Sequence, residues 1–172
     1  MIPAGSFKRE AAGVNTLSLM QSLRWKHAEL TPWVEKLGRA AERAGEAPAV
    51  ELSGMVNQAH YFLAVEVLPY LLTLRGEFQT TPTAAEEELA RLCAELGGLR
   101  PHPARPITRR QVEALQHTLA GAAETLRALL SEQKSELFPR LEAAFTGEES
   151  QQAARRFQAA LKQAAKTAEE RL

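Results

Sequence analysis

Apolar residues recur at intervals of three, four and seven positions along most of this chain. Successive residues of an α-helix are rotated by about 100°, so this spacing places the apolar positions on one face of a helix. The first such stretch runs from about Asn15 to Gly45. Its apolar face consists of Leu19, Leu23, Leu30, Val34 and Leu37. The pattern therefore predicts a first amphipathic helix.

Turn and capping signals divide the remaining chain into four more predicted helices. Their expected starting residues are Pro48, Thr83, Thr108 and Thr146. Proline suits the first turn of a helix, and threonine followed three residues later by Glu or Gln has the spacing of a capping box. The second, third and fourth helices should end near Glu77, Gly98 and Phe145. Pro32 and Pro69 lie inside predicted helices, and each predicts a kink because proline removes a backbone hydrogen bond.

Four long amphipathic helices, three of them joined by short links, predict an antiparallel helical bundle. We expect an all-α fold with residues 1–13 as a loose N-terminal arm and residues 14–146 as an up-and-down four-helix bundle. Residues 147–172 should form a C-terminal helix, with Phe157 and Leu161 docking it on the outside of that bundle.

Composition and charge narrow the classes of function. The 172 residues carry 21 basic and 21 acidic side chains, so no net charge favours nucleic acid or a membrane surface. Cys93 is the single cysteine, which excludes an intrachain disulfide and a cysteine-based zinc site. The sequence shows neither a secretion leader nor an apolar run of about 18 residues, the length that spans a bilayer. We therefore expect a cytoplasmic protein.

Three segments resemble the haemerythrin-like cation-binding family. They are Leu23 to Leu30, Val67 to Leu74 and Ala128 to Leu141, and the resemblance extends from about Leu17 to Glu149. In the family these helices carry Glu-His-x-x-Leu, Leu-Pro-His-x-x-x-Glu and His-Leu-x-x-Glu with a following Leu-Phe-Pro-x-Leu. Their His and Glu side chains hold two iron ions inside a four-helix bundle. The resemblance implies the bundle fold described above.

The resemblance also implies that most of the metal ligands have been replaced. His27 is retained, whereas the other former ligand positions carry Tyr70, Leu74, Glu87, Leu129 and Gln133. Leucine has no lone pair, and tyrosine and glutamine are poor substitutes for imidazole and carboxylate. We expect that the protein binds no cofactor and that apolar side chains fill the space of the family's metal site. The alternative is a non-haem iron or haem sensor of oxygen or redox state that uses His27 with rearranged ligands.

Other side chains supply weaker candidates for function. His60 and His117 are expected at a similar level of the bundle as partly exposed surface side chains, and the alternative is that they are metal or haem ligands. Trp25 and Trp33 lie eight residues apart on nearly the same helix face, which predicts a place in the core or at its edge; the alternative is an exposed aromatic surface for a partner. The sequence contains no recognisable catalytic motif. The expected function is non-enzymatic binding of a small ligand or a protein, with a structural homodimer as a further alternative.

Overall fold

The computed structural model describes residues 17–172, and all regular structure in that range is helical. The α-helices are α1 (Leu19–Arg43), α2 (Ala49–Tyr61), α3 (Leu68–Phe78), α4 (Ala84–Gly98), α5 (Arg109–Glu132), α6 (Phe138–Ala144) and α7 (Gly147–Glu169). The predicted N-terminal arm and the expected cap at Asn15 lie outside the described residues. Within them, α1 begins after Ser18.

Side-chain caps explain where several of these helices begin. Ser18 and Thr108 each form a capping box with a glutamine three residues later, which pairs backbone N–H groups that the first helical turn would leave free. The Thr83 hydroxyl accepts a hydrogen bond from the backbone N–H of Glu86 at the start of α4. The predicted starts at Thr83 and Thr108 are confirmed.

Two short π-helical turns each join a pair of α-helices into one longer helical segment. The first π turn (Phe62–Val67) joins α2 to α3, and the second π turn (Gln133–Leu137) joins α5 to α6. Both precede a proline at the second position of the next helix, Pro69 or Pro139. A proline ring clashes with the carbonyl four residues earlier, and widening the helix there relieves the clash. By contrast, α1 remains α-helical through Pro32.

The helices surround one hydrophobic core that contains side chains from all seven of them. Helix α5 packs against α1 and α4, and α7 packs against α1, α3 and the first π turn. Thus α7 lies between α1 and α3, and its Ala153 and Phe157 are buried in the shared core. The helix expected on the outside of the bundle thus contacts α1, α3 and the first π turn. Within residues 17–172, no helix combines the length and the apolar character needed to cross a bilayer.

Candidate functional site

A buried cluster of three polar side chains lies in the interior of the bundle. Gln133 begins the second π turn, and its Oε1 atom accepts hydrogen bonds from His27 Nε2 and from the Tyr70 hydroxyl, both at 2.8 Å. Tyr70 is fully buried and Gln133 is only 4% exposed. We call His27, Tyr70 and Gln133 the buried triad. It joins α1, α3 and the second π turn through one oxygen atom.

The surroundings of the buried triad are apolar. Phe138 lies against the His27 ring with 4.5 Å between ring centroids, and Phe157 meets Tyr70 edge-on at 6.1 Å. Leu74 and Leu129 are also buried in the hydrophobic core. The structure therefore places in the interior five of the six positions that the resemblance assigns to metal ligands.

Burial determines the protonation of the triad. It raises the pKa of Tyr70, with a smaller contribution from the negative charge of Glu86, so the phenol stays protonated. Burial lowers the pKa of His27; the hydrogen bond with Gln133 opposes that shift, and the charge of Lys134 adds to it. A neutral His27 that donates from Nε2 carries its free lone pair on Nδ1.

Only the oxygen atom of the Gln133 side-chain amide has hydrogen-bond partners among the described residues. Its oxygen has two donors, whereas its buried Nε2 atom has no hydrogen-bond partner among the described residues. The reverse orientation of the amide would leave the buried Tyr70 hydroxyl proton without an acceptor, which favours the orientation with Oε1 towards Tyr70. A donor group at the centre of the bundle is thus left free for an acceptor.

The expectation for Glu87, which the resemblance assigned to a metal-ligand position, is not met. Glu87 is exposed on α4 and does not join the buried triad. Its neighbour Glu86 is 8% exposed, contacts Arg75 at 3.1 Å and is near enough to influence Tyr70. Glu86 is the acidic residue of α4 that faces the interior, one position before the residue expected from the sequence.

The side chains present do not fit a pair of iron ions. Leu74 and Leu129 offer no donor atom, Tyr70 is held as a neutral phenol, and the Gln133 oxygen already accepts two hydrogen bonds. Across residues 17–172, no group of three or more His, Cys, Asp or Glu side chains is arranged to hold a metal ion. The donor chemistry that iron requires is therefore missing at this position.

The two histidines considered as alternative ligands lie on different helices, α2 and α5. His60 is partly buried, and its Nδ1 accepts a hydrogen bond from the Arg100 guanidinium. Burial and the charge of Arg100 both lower the pKa of His60. His117 is exposed on α5. The two histidines thus lie in different surroundings.

The two tryptophans also differ in their surroundings. Trp25 is 62% exposed, whereas Trp33 stacks on Phe62 with 4.1 Å between ring centroids. The Lys36 ammonium lies 4.6 Å from the centroid of the Trp33 ring. Of the two tryptophans, only Trp25 offers a largely free aromatic face. A partner surface formed by both side chains would therefore lack Trp33.

A cavity of about 190 Å³ lies beside the buried triad, between the start of α4 and the second π turn. Gln133, Leu129, Glu86 and Leu137 are among its walls, and Glu132 and Glu136 also line it. The sequence pattern pointed to Gln133 and Leu129 but not to Glu86 or the cavity. The capping signal at Thr83 was available, and it fixes the start of α4 and so the direction in which Glu86 points.

Comparison of the chain with protein-family models, with curated proteins and with solved structures gave no match. The function must therefore be inferred from the residues and contacts described above.

Proposed function

We propose that this chain is a degenerate haemerythrin-like protein: an up-and-down four-helix bundle with a C-terminal helix that has lost its di-iron site. In this proposal it is a non-enzymatic, cytoplasmic module that binds a small ligand or a protein. The Leu68-Pro69-Tyr70 motif opens α3, and Phe138-Pro139 opens α6.

The observation that carries the proposal is the buried triad. Residues 27, 70 and 133 are far apart in the sequence, and the family pattern assigns all three to one metal centre. Hydrogen bonds of 2.8 Å join His27 and Tyr70 to Gln133. Leu74 and Leu129, at two further ligand positions, are buried in the same core. A false resemblance would place such residues together only by chance.

The physical chemistry of the replacements supports loss of metal rather than exchange of one metal for another. Buried polar groups without partners are costly, so a bundle that gives up its metal must replace its ligands by apolar or hydrogen-bonded side chains. Leu74 and Leu129 are the apolar replacements, and Tyr70 and Gln133 are the hydrogen-bonded ones. The remaining histidine is held by the amide of Gln133.

Restoring the family ligands tests this proposal. The quadruple variant Tyr70→His, Leu74→Glu, Leu129→His and Gln133→Glu supplies two His–Glu pairs, each one helical turn apart, beside His27. Without metal it should be less stable than the parent because ionisable groups replace buried leucines. Added ferrous iron should then raise its melting temperature in a concentration-dependent way, since metal binds the folded state.

A matched control has Tyr70→Phe, Leu74→Gln and Leu129→Asn, which approximate the shapes of His and Glu without their metal affinity. This variant and the parent should show no iron-dependent rise. The parent purified without chelator should be colourless, with well under one iron per chain by elemental analysis. Two irons per chain in the parent, or a folded quadruple variant that ignores iron, would contradict the proposal.

A further inference from the structure

The cavity beside the buried triad has an interior wall made by two well-buried polar side chains. Gln133 is 4% exposed and Glu86 is 8% exposed, and both line the cavity. Leu129 and Leu137 add apolar surface. At about 190 Å³, the cavity is smaller than the sites that hold drug-sized molecules, and it suits a fragment-sized ligand.

The free amide nitrogen of Gln133 gives the cavity a specific hydrogen-bonding requirement. Its partner atom Oε1 is turned towards His27 and Tyr70, neither of which lines the cavity. We infer that Nε2, which has no partner among the described residues, is the branch turned towards the cavity. A buried N–H without an acceptor costs about 1–3 kcal/mol, so a ligand that offers an oxygen atom there is favoured.

The charges around the cavity limit the class of ligand. Glu86, Glu132 and Glu136 line it, and Arg140 is the basic residue among its lining. Arg75, outside the lining, contacts Glu86 at 3.1 Å. The three carboxylates outnumber the two guanidinium groups, so the charges in and around the cavity disfavour binding of an anion. A cation without an acceptor atom would leave Gln133 Nε2 unsatisfied.

We propose that the cavity binds a small uncharged carboxamide. Its carbonyl oxygen accepts a hydrogen bond from Gln133 Nε2, its NH₂ group donates to Glu86, and its apolar part lies against Leu129 and Leu137. Gln133 Nε2 is covered in this structure, so the ligand reaches it only when a neighbouring side chain moves aside. This inference rests on the proposed function and names the class of ligand for that module.

Three probes of nearly equal size test the inference: benzamide, benzoate and benzamidine. Benzamide offers both an acceptor and a donor without charge, benzoate is an anion, and benzamidine is a cation without an acceptor. Binding to the full-length protein is measured by calorimetry and by NMR of glutamine side-chain amides. Benzamide should bind at least about tenfold more tightly than either charged probe, as one well-made hydrogen bond predicts. It should also shift the Gln133 amide resonances.

Two variants and a control locate the site. Gln133→Met removes the amide at similar volume, and Leu137→Trp fills the cavity from a partly exposed position. Each should weaken benzamide binding at least tenfold, whereas Gln152→Met on the exposed face of α7 should leave it unchanged. If Gln133→Met fails to fold, Leu137→Trp and the NMR shifts of the parent still decide the matter.

Equal binding of the three probes, preference for benzamidine, no binding at all, or binding that leaves the Gln133 resonances unmoved would each overturn the inference. These outcomes do not affect the metal-restoration experiment, which judges the proposed function separately. A chain that gains iron affinity in the quadruple variant but ignores benzamide would retain the family proposal and lose only this choice of ligand.

Discussion

At the scale of single residues, one oxygen atom holds two helices to the second π turn. Gln133 Oε1 accepts from both His27 and Tyr70, so both side chains must keep the protons that they donate. Burial keeps both groups neutral, since it raises the pKa of the phenol and lowers that of the imidazole, and the neutral imidazole can still donate from Nε2. The interior therefore stays uncharged at the triad while the protein is folded at neutral pH.

The lowered pKa of His27 predicts a specific loss of stability in acid. The folded pKa lies below the unfolded value of about 6.5, so between the two values the unfolded chain binds more protons. Stability should therefore fall as the pH drops below about 6.5, by up to about 1.4 kcal/mol per pH unit while the histidine alone titrates. In urea unfolding, His27→Gln should lose less stability between about pH 7.5 and 5.5 than the parent does.

The exposed His117 provides the control for this measurement. His117→Gln should show the same acid dependence as the parent because the side chain that it removes lies on the surface, away from the triad. Equal losses in the parent and in His27→Gln would show that His27 is not the group responsible.

The positions that the resemblance assigns to metal ligands show how far the sequence could predict the site. His27, Tyr70, Leu74, Leu129 and Gln133 were expected in the interior, and the structure places them there. The error at Glu87 arose because residues 86 to 88 are all glutamate. A run of identical side chains gives no pattern from which to choose the inward position, and one residue changes the direction by about 100°.

At the scale of secondary-structure elements, two threonines at the N-cap position of a helix can be compared directly. Thr108 accepts a hydrogen bond from the backbone N–H of Gln111, whereas Thr146 occupies the same position before α7 without a side-chain cap bond. Thr108→Ala should therefore destabilise the protein by about 1 kcal/mol, within a usual range of about 0.5–2 kcal/mol.

Thr146→Ala is the matched control, since it removes the same atoms from a helix start where they make no cap. Its effect on the free energy of unfolding should stay within about 0.5 kcal/mol. Equal losses in the two variants, measured by urea unfolding, would mean that the hydroxyl of Thr108 contributes nothing specific to α5.

Helix boundaries were predictable to within a few residues, but the π turns were not. A capping residue acts on its own helix, so its signal is local. A π turn adds one residue to a helix, and the apolar period on either side of it survives. Pro69 indicated a disturbance, yet Pro32 gave the same signal in a helix that remains α-helical. The sequence does not show which of these outcomes a proline will produce.

At the scale of the whole molecule, α7 is an integral part of the core. It lies between α1 and α3, where Phe157 contacts both Tyr70 and Phe78 with ring centroids 6.1 Å apart. Its side chains also tie it to the bundle, since the Ser150 hydroxyl accepts a hydrogen bond from the Leu19 N–H at 2.9 Å. The amphipathic pattern predicted a docked helix, but a single apolar face cannot specify between which neighbours it packs.

Removal of the Phe157 ring should therefore destabilise the whole protein. Phe157→Ala should cost about 3–5 kcal/mol, as expected for a buried aromatic side chain. Gln152→Ala, on the exposed side of the same helix, should cost less than about 0.5 kcal/mol. A single cooperative transition in both variants, followed by circular dichroism, would fit one shared core. A small cost for Phe157→Ala would show that α7 is an outer attachment.

The placement of the two tryptophans also determines what this protein's own fluorescence reports. Both indoles belong to α1, so emission excited at the red edge of the absorption band comes from one helix. Trp25 is open to water and to dissolved quenchers, whereas the half-buried Trp33 stacks on Phe62 and has the Lys36 ammonium over its ring. The spectrum is therefore the sum of a quenchable emitter and a shielded one. The shielded emitter reports on the contact between α1 and the first π turn.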